Sequence, residues 1–98
     1  MFDRILKLMR ERIRTNEYIM TLHAEEEMNN DDLSIYDVES GILTGRIVER
    51  QKDKERAEWK YRIAGQTLSG EEVDMIAKIS STSKLAIITV YLPRNRVE

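Results

Sequence analysis

Apolar positions follow two different rhythms along this chain. As far as residue 44 they recur every three or four positions; beyond Gly45 they alternate or run together. Phe2, Ile5, Met9 and Ile13 fall at helical spacing, with Leu6 and Leu8 at the flanks of the same face. Arg4, Lys7, Arg10 and Arg14 lie mostly outside that face, which predicts a helix over about residues 3–15. The period breaks at NEYIMT (16–21), where Tyr18, Ile19 and Met20 suit a short extended piece. Thr21 can cap a short helix, TLHAEEEMNN, whose glutamates sit where the helix dipole favours negative charge. Asn29 and Asn30 end it. Ser34 and Asp37 have the spacing of a capping box, Ile35, Val38, Ile42 and Leu43 supply an apolar face, and Gly45 terminates the helix.

The second half reads as strands. RIVER (46–50) is short and β-branched, and QKDKER (51–56) reads as a charged turn. In AEWKYRIAG the side chains of Trp59, Tyr61 and Ile63 point one way and those of Lys60 and Arg62 the other. In EEVDMIAKIS, Val73, Ile76 and Ala77 suit a helix, but Val73, Met75, Ala77 and Ile79 alternate more cleanly with Asp74, Lys78 and Ser80. A strand over 71–79 can also pair with 84–92 across the STSK turn. LAIITVYL has few polar breaks and suits a strand buried on both faces; Pro93 ends the sheet. The expected architecture is a single α+β domain over residues 1–98. Its N-terminal helices pack on one face of an antiparallel β-meander of about four strands.

Composition narrows the class. With no cysteine, disulfide frameworks and Cys-based zinc sites are excluded. The charged N-terminus MFDRILKLMRERIR lacks the apolar core of a signal peptide, and no apolar run approaches the ~18 residues of a membrane span, so a soluble cytoplasmic protein is expected. The net charge of −2 is unevenly spread. Residues 1–15 and 46–62 are each net +3, residues 80–98 net +2, and residues 25–39 carry seven acidic groups and no basic one. Either a local phosphate-binding face or a set of solvated mixed-charge faces fits this distribution.

The order of segments resembles a known family. HAEEEM in a helix, then LSIYDVESGILTGRIVE, WKYRIAG and LAIITVY, together resemble the prokaryotic domain of unknown function 4258 family over about residues 18–92. Residues 1–15 form an N-terminal helix ahead of this family-like region, which opens at about residue 16. The resemblance implies a RelE-like or barnase-like ribonuclease toxin fold, with a type II toxin–antitoxin role and a cognate antitoxin of zinc-ribbon or helix-turn-helix type. It points to His23, Arg62, Thr89 and Tyr91 as the positions matching the family motifs. One position departs: the family usually has Arg four residues after the His, and this chain has Glu27. A Glu there repels phosphate, so the cationic role passes to Lys60 or Arg62, or this copy is weakened or inactive.

The chemistry of these residues fits metal-independent RNA cleavage, which needs a base, an acid and positive charge for the phosphorane. His23 can move a proton near neutral pH. Lys60 and Arg62 share a strand face and can hold a phosphate, Thr89 and Tyr91 offer hydroxyls, and Trp59 and Tyr61 can stack on unpaired bases of an RNA substrate. The same residues have a plainer reading: a half-buried histidine, solvated cations, ordinary β-formers and core aromatics. His23 and Glu27 stand at helical i, i+4 spacing, but two ligands make a weak metal signal, and neither a metal nor a cofactor is expected. The competing function is a non-enzymatic interaction module. It would use RIVER or LAIITVYL as an exposed edge strand, or the acidic 25–39 surface.

Overall fold

The computed structural model describes residues 1–53, 55 and 58–93. Helix α1 spans Asp3–Arg14, strand β1 Tyr18–Met20, helix α2 Leu22–Asn30 and helix α3 Ile35–Thr44. Strands β2 (Arg46–Asp53), β3 (Glu58–Gln66), β4 (Glu72–Ile79) and β5 (Leu85–Tyr91) follow. Among the described residues the sheet has five strands in the order β1-β5-β4-β3-β2. β2 to β5 form the expected antiparallel meander, and β1 adds a fifth strand, parallel to β5. The sheet is therefore mixed, one strand larger than expected. β5 is an interior strand rather than an edge, and β1 and β2 are the edges.

The caps form as their residue types dictate. Thr21 Oγ1 accepts from the Ala24 N–H at 3.1 Å. Ser34 Oγ accepts from the Asp37 N–H at 3.2 Å while Asp37 Oδ2 accepts from the Ser34 N–H at 3.0 Å, closing the capping box. Gly45 ends α3, but at φ −86, outside the left-handed region. Its need for glycine comes from crowding: a Cβ there would lie 2.4 Å from the Gly41 carbonyl oxygen and 2.6 Å from Ile63 Cγ2. At Gly65 the approach is closer, 2.0 Å from the same oxygen, so α3 presses its backbone directly onto β3. Arg10 of α1, which the apolar pattern left outside the buried face, donates from Nη2 to the Gly45 carbonyl at 2.7 Å and ties α1 to the end of α3.

One sheet face carries the core. Met9, Val38 and Ile42 of the helices meet Ile63, Val73, Met75, Leu85, Ile87 and Val90 of the strands, all fully buried. Burying each such side chain contributes roughly 1.5–3 kcal/mol. Along β3 burial fades from Ile63 through Tyr61 to Trp59, which is 40% exposed, as the strand runs out from beneath the helices. β2 runs on to Asp53, so residues 51–53 are strand rather than turn; of the expected turn at 51–56, Lys54 and Arg56 lie outside the described residues, as does Ala57 of AEWKYRIAG. The polar residues of 51–53 pair with 58–60 on an edge that water reaches, where charge is no obstacle to a strand.

α2 takes over where β1 stops. The Thr21 N–H donates to the Ile87 carbonyl at 3.0 Å, Thr21 Oγ1 to the Ile88 carbonyl at 3.1 Å, and the Val90 N–H to Glu27 Oε1 at 3.0 Å. The outer edge of β5 is thereby satisfied first by a strand and then by a helix. Among the described residues no helix is long and apolar enough to cross a membrane.

Candidate functional site

The sheet face turned away from the core is polar. Strand alternation and register place Arg62 of β3 opposite Ile76 of β4, which in turn lies opposite Thr89 of β5; Asp74 lies opposite Tyr91, and Glu49 of β2 opposite Arg62. Five side chains that bear chemistry thus share one face across four neighbouring strands. Arg62, Thr89 and Tyr91, with Glu49, Gln51 and Ile76, line a hollow of about 560 Å³. A second hollow of about 590 Å³ adjoins it at Arg62 and is lined further by Asp74, Arg46 and Pro93. These hollows are on the open side of the sheet, and it is there that Arg62, Thr89 and Tyr91 converge.

Electrostatics at the centre are tightly matched. Arg62 Nε donates to Glu49 Oε1 at 3.0 Å and Nη1 to Asp74 Oδ2 at 2.7 Å. The Tyr91 hydroxyl donates to the same Asp74 oxygen at 3.3 Å. Asp74 is buried, and a buried carboxylate requires such partners. The hydrogen bonds that Arg62 donates to Glu49 and Asp74 raise its guanidinium above its ordinary value. Arg62, with help from Gln51, holds the Glu49 carboxyl below the usual glutamate value, so it stays ionised. Two more ion pairs cross this face, Lys60 Nζ to Asp53 at 4.0 Å and Lys78 Nζ to Glu58 at 2.6 Å.

His23 stands apart from the hollow. Its side chain is 64% exposed on α2, with Nε2 3.3 Å from Glu27 Oε1. That same oxygen receives the Val90 N–H, and Val90 lies between Thr89 and Tyr91 in β5, so the imidazole reaches the site only through a carboxylate and a backbone amide. Glu27, the departure from the family pattern, thus satisfies a backbone amide at the sheet edge. Trp59 and Tyr61 lie on the core side of β3, opposite Lys60 and Arg62, and do not join them in one site. Tyr61 packs against the core and meets Phe2 edge-on at 5.9 Å.

Glu49 and Asp74 were not singled out from the sequence. The signal was present in the alternation: with Arg62 facing outward, an antiparallel neighbour at the matching register must present its own outward residues to it. Among the described residues no three His, Cys, Asp or Glu side chains come together as a metal-holding group.

No curated protein and no solved structure matches the chain. The model of the family described as domain of unknown function (DUF4258) matches residues 20–92, from the last residue of β1 to just past β5. It thus takes in every strand that builds the polar face, and the chain belongs to that family.

Proposed function

We propose that the chain is a toxin-type, metal-independent endoribonuclease that acts on the open face of its sheet. One observation carries the reading: Arg62, Thr89 and Tyr91, drawn from strands far apart in the sequence, line one hollow that also holds the ionised Glu49. In this reading Glu49 takes the proton of the attacking 2′-hydroxyl as the 2′-oxygen bonds to phosphorus. Arg62 opposes the charge of the phosphorane, Thr89 orients the phosphate, and Tyr91 gives its proton to the departing 5′-oxygen. The products are a 2′,3′-cyclic phosphate and a free 5′-hydroxyl, and both side chains recover their protonation states by exchange with water. His23 acts as a positioning residue through Glu27 and the backbone of β5. A cognate antitoxin would cover the hollow.

A second reading, a non-enzymatic interaction module, is favoured by a different observation: Arg62 is already neutralised by two carboxylates. Incubation of the purified protein with unstructured RNA separates the two. The ribonuclease reading expects cyclic-phosphate ends, and a fall of about 10²–10⁴ in rate for Glu49→Gln and Tyr91→Phe at unchanged melting temperature. Intact RNA, with unhindered growth on overexpression, would leave the interaction module standing.

A further inference from the structure

The two faces of the β2–β3 hairpin carry opposite chemistry. On the open face the cations Lys60 and Arg62 are each bound to carboxylates. On the core side, beyond the reach of the helices, Arg50 and Lys52 are exposed and neither forms an ion pair among the described residues. Both instead lie over the ring of Trp59, Arg50 at 4.0 Å and Lys52 at 5.3 Å from its centroid. Arg50 also lies 5.7 Å over Phe2, at the start of α1, so the two positive stretches 1–15 and 46–62 meet here.

We propose that Arg50, Lys52 and the exposed ring of Trp59 form a binding patch for single-stranded nucleic acid. Uncompensated cations meet the phosphates, and the partly exposed indole, with the guanidinium beside it, offers a surface for a base to stack on. On the open face, by contrast, Lys60, Arg62 and Lys78 are each already bound to carboxylates. The patch lies on the opposite face of the sheet from the hollow and goes beyond the ribonuclease reading without depending on it. Binding is measured separately from cleavage.

The test is fluorescence anisotropy of a labelled oligouridine of about ten nucleotides with the full chain, titrated between about 50 and 200 mM salt. The double variant R50Q/K52Q should weaken binding about tenfold or more and flatten the plot of log affinity against log salt by about 1.4, the loss of two phosphate contacts. Trp59→Leu should weaken it at least fivefold or so with the salt slope unchanged, as lost stacking requires. Lys60→Gln on the other face should leave affinity within about twofold. The proposal is overturned if wild type does not bind the oligonucleotide, or if Lys60→Gln costs as much as R50Q/K52Q. Equal binding of a polyglutamate peptide that ignores Trp59→Leu would overturn it too, and would mark a site for acidic proteins. Binding without any cleavage would uphold the patch and refute the ribonuclease.

Discussion

Replacing Gly65 by alanine puts a methyl group where a helix backbone already stands. The added Cβ would lie 2.0 Å from the Gly41 carbonyl oxygen and 2.8 Å from its carbon. Regaining even 3.0 Å requires α3 and β3 to part by about 1 Å, and neither obstacle is a side chain that can swing away. Core overpacking costs typically about 1–3 kcal/mol, and a backbone obstacle belongs at or above the upper end. At roughly 4–8 °C per kcal/mol for a domain this size, the melting temperature should fall by about 12–24 °C. Gly70→Ala is the matched control. Gly70 has φ +89 with nothing within 4 Å of its added Cβ, so the change brings left-handed strain alone, about 1 kcal/mol. Thermal unfolding followed by circular dichroism ranks the two. Hydrogen exchange adds a local signature, because the Gln66 N–H donates to Thr44 Oγ1 at 3.0 Å across the same contact and should lose protection in Gly65→Ala. A Gly65→Ala protein that melts no lower than Gly70→Ala would refute the backbone contact.

Two further outcomes follow from the hydrogen bonds. The Asp37 carboxyl is held below its ordinary value of 3.8, first by the Ser34 N–H and also by the Leu68 N–H and the Ser34 hydroxyl. Its contribution is therefore full above the ordinary carboxylate range and lost as pH falls through its own lower value. Asp37→Ala should cost about 1 kcal/mol at neutral pH, and urea titrations should show the difference from wild type shrinking below pH ~4. At Glu27, removal of the acceptor for the Val90 N–H should cost about 1–2 kcal/mol in Glu27→Ala. Glu27→Gln, which keeps an acceptor, should remain close to wild type by thermal melt; equal loss in both would show that the amide bond matters little.

Local chemistry was legible in the residues, and long-range pairing was not. The caps at Thr21 and Ser34 formed as their side chains dictate because a cap involves only a few consecutive positions. The strand over 72–79 won against a helix because alternation and a partner strand agreed. β1 was visible as an extended piece, but nothing in YIM says that its partner is LAI at 85–87. The charged QKD ending of β2 read as turn because edge strands do not need an apolar face. The outward direction of Arg62 was legible from alternation in β3, while its meeting with Thr89 and Tyr91 depends on the register of β4 between them. His23 was placed in the right helix, but the direction it faces depends on how α2 docks on β5, which a single chain segment does not encode.

The pairing of Tyr18–Met20 with Leu85–Ile87 has a temporal consequence. Of the five strands of this sheet, β1 leaves the ribosome before the others and has no neighbour until β5 emerges. Until then α2 has no sheet edge to lie against, and the bonds of Thr21 and Glu27 to Ile87, Ile88 and Val90 cannot form. Thr89 and Tyr91 arrive on the same late strand, so nascent chains lack the polar hollow altogether. Synthesis itself thus acts as a timer: the face is completed only when β5 slides between β1 and β4.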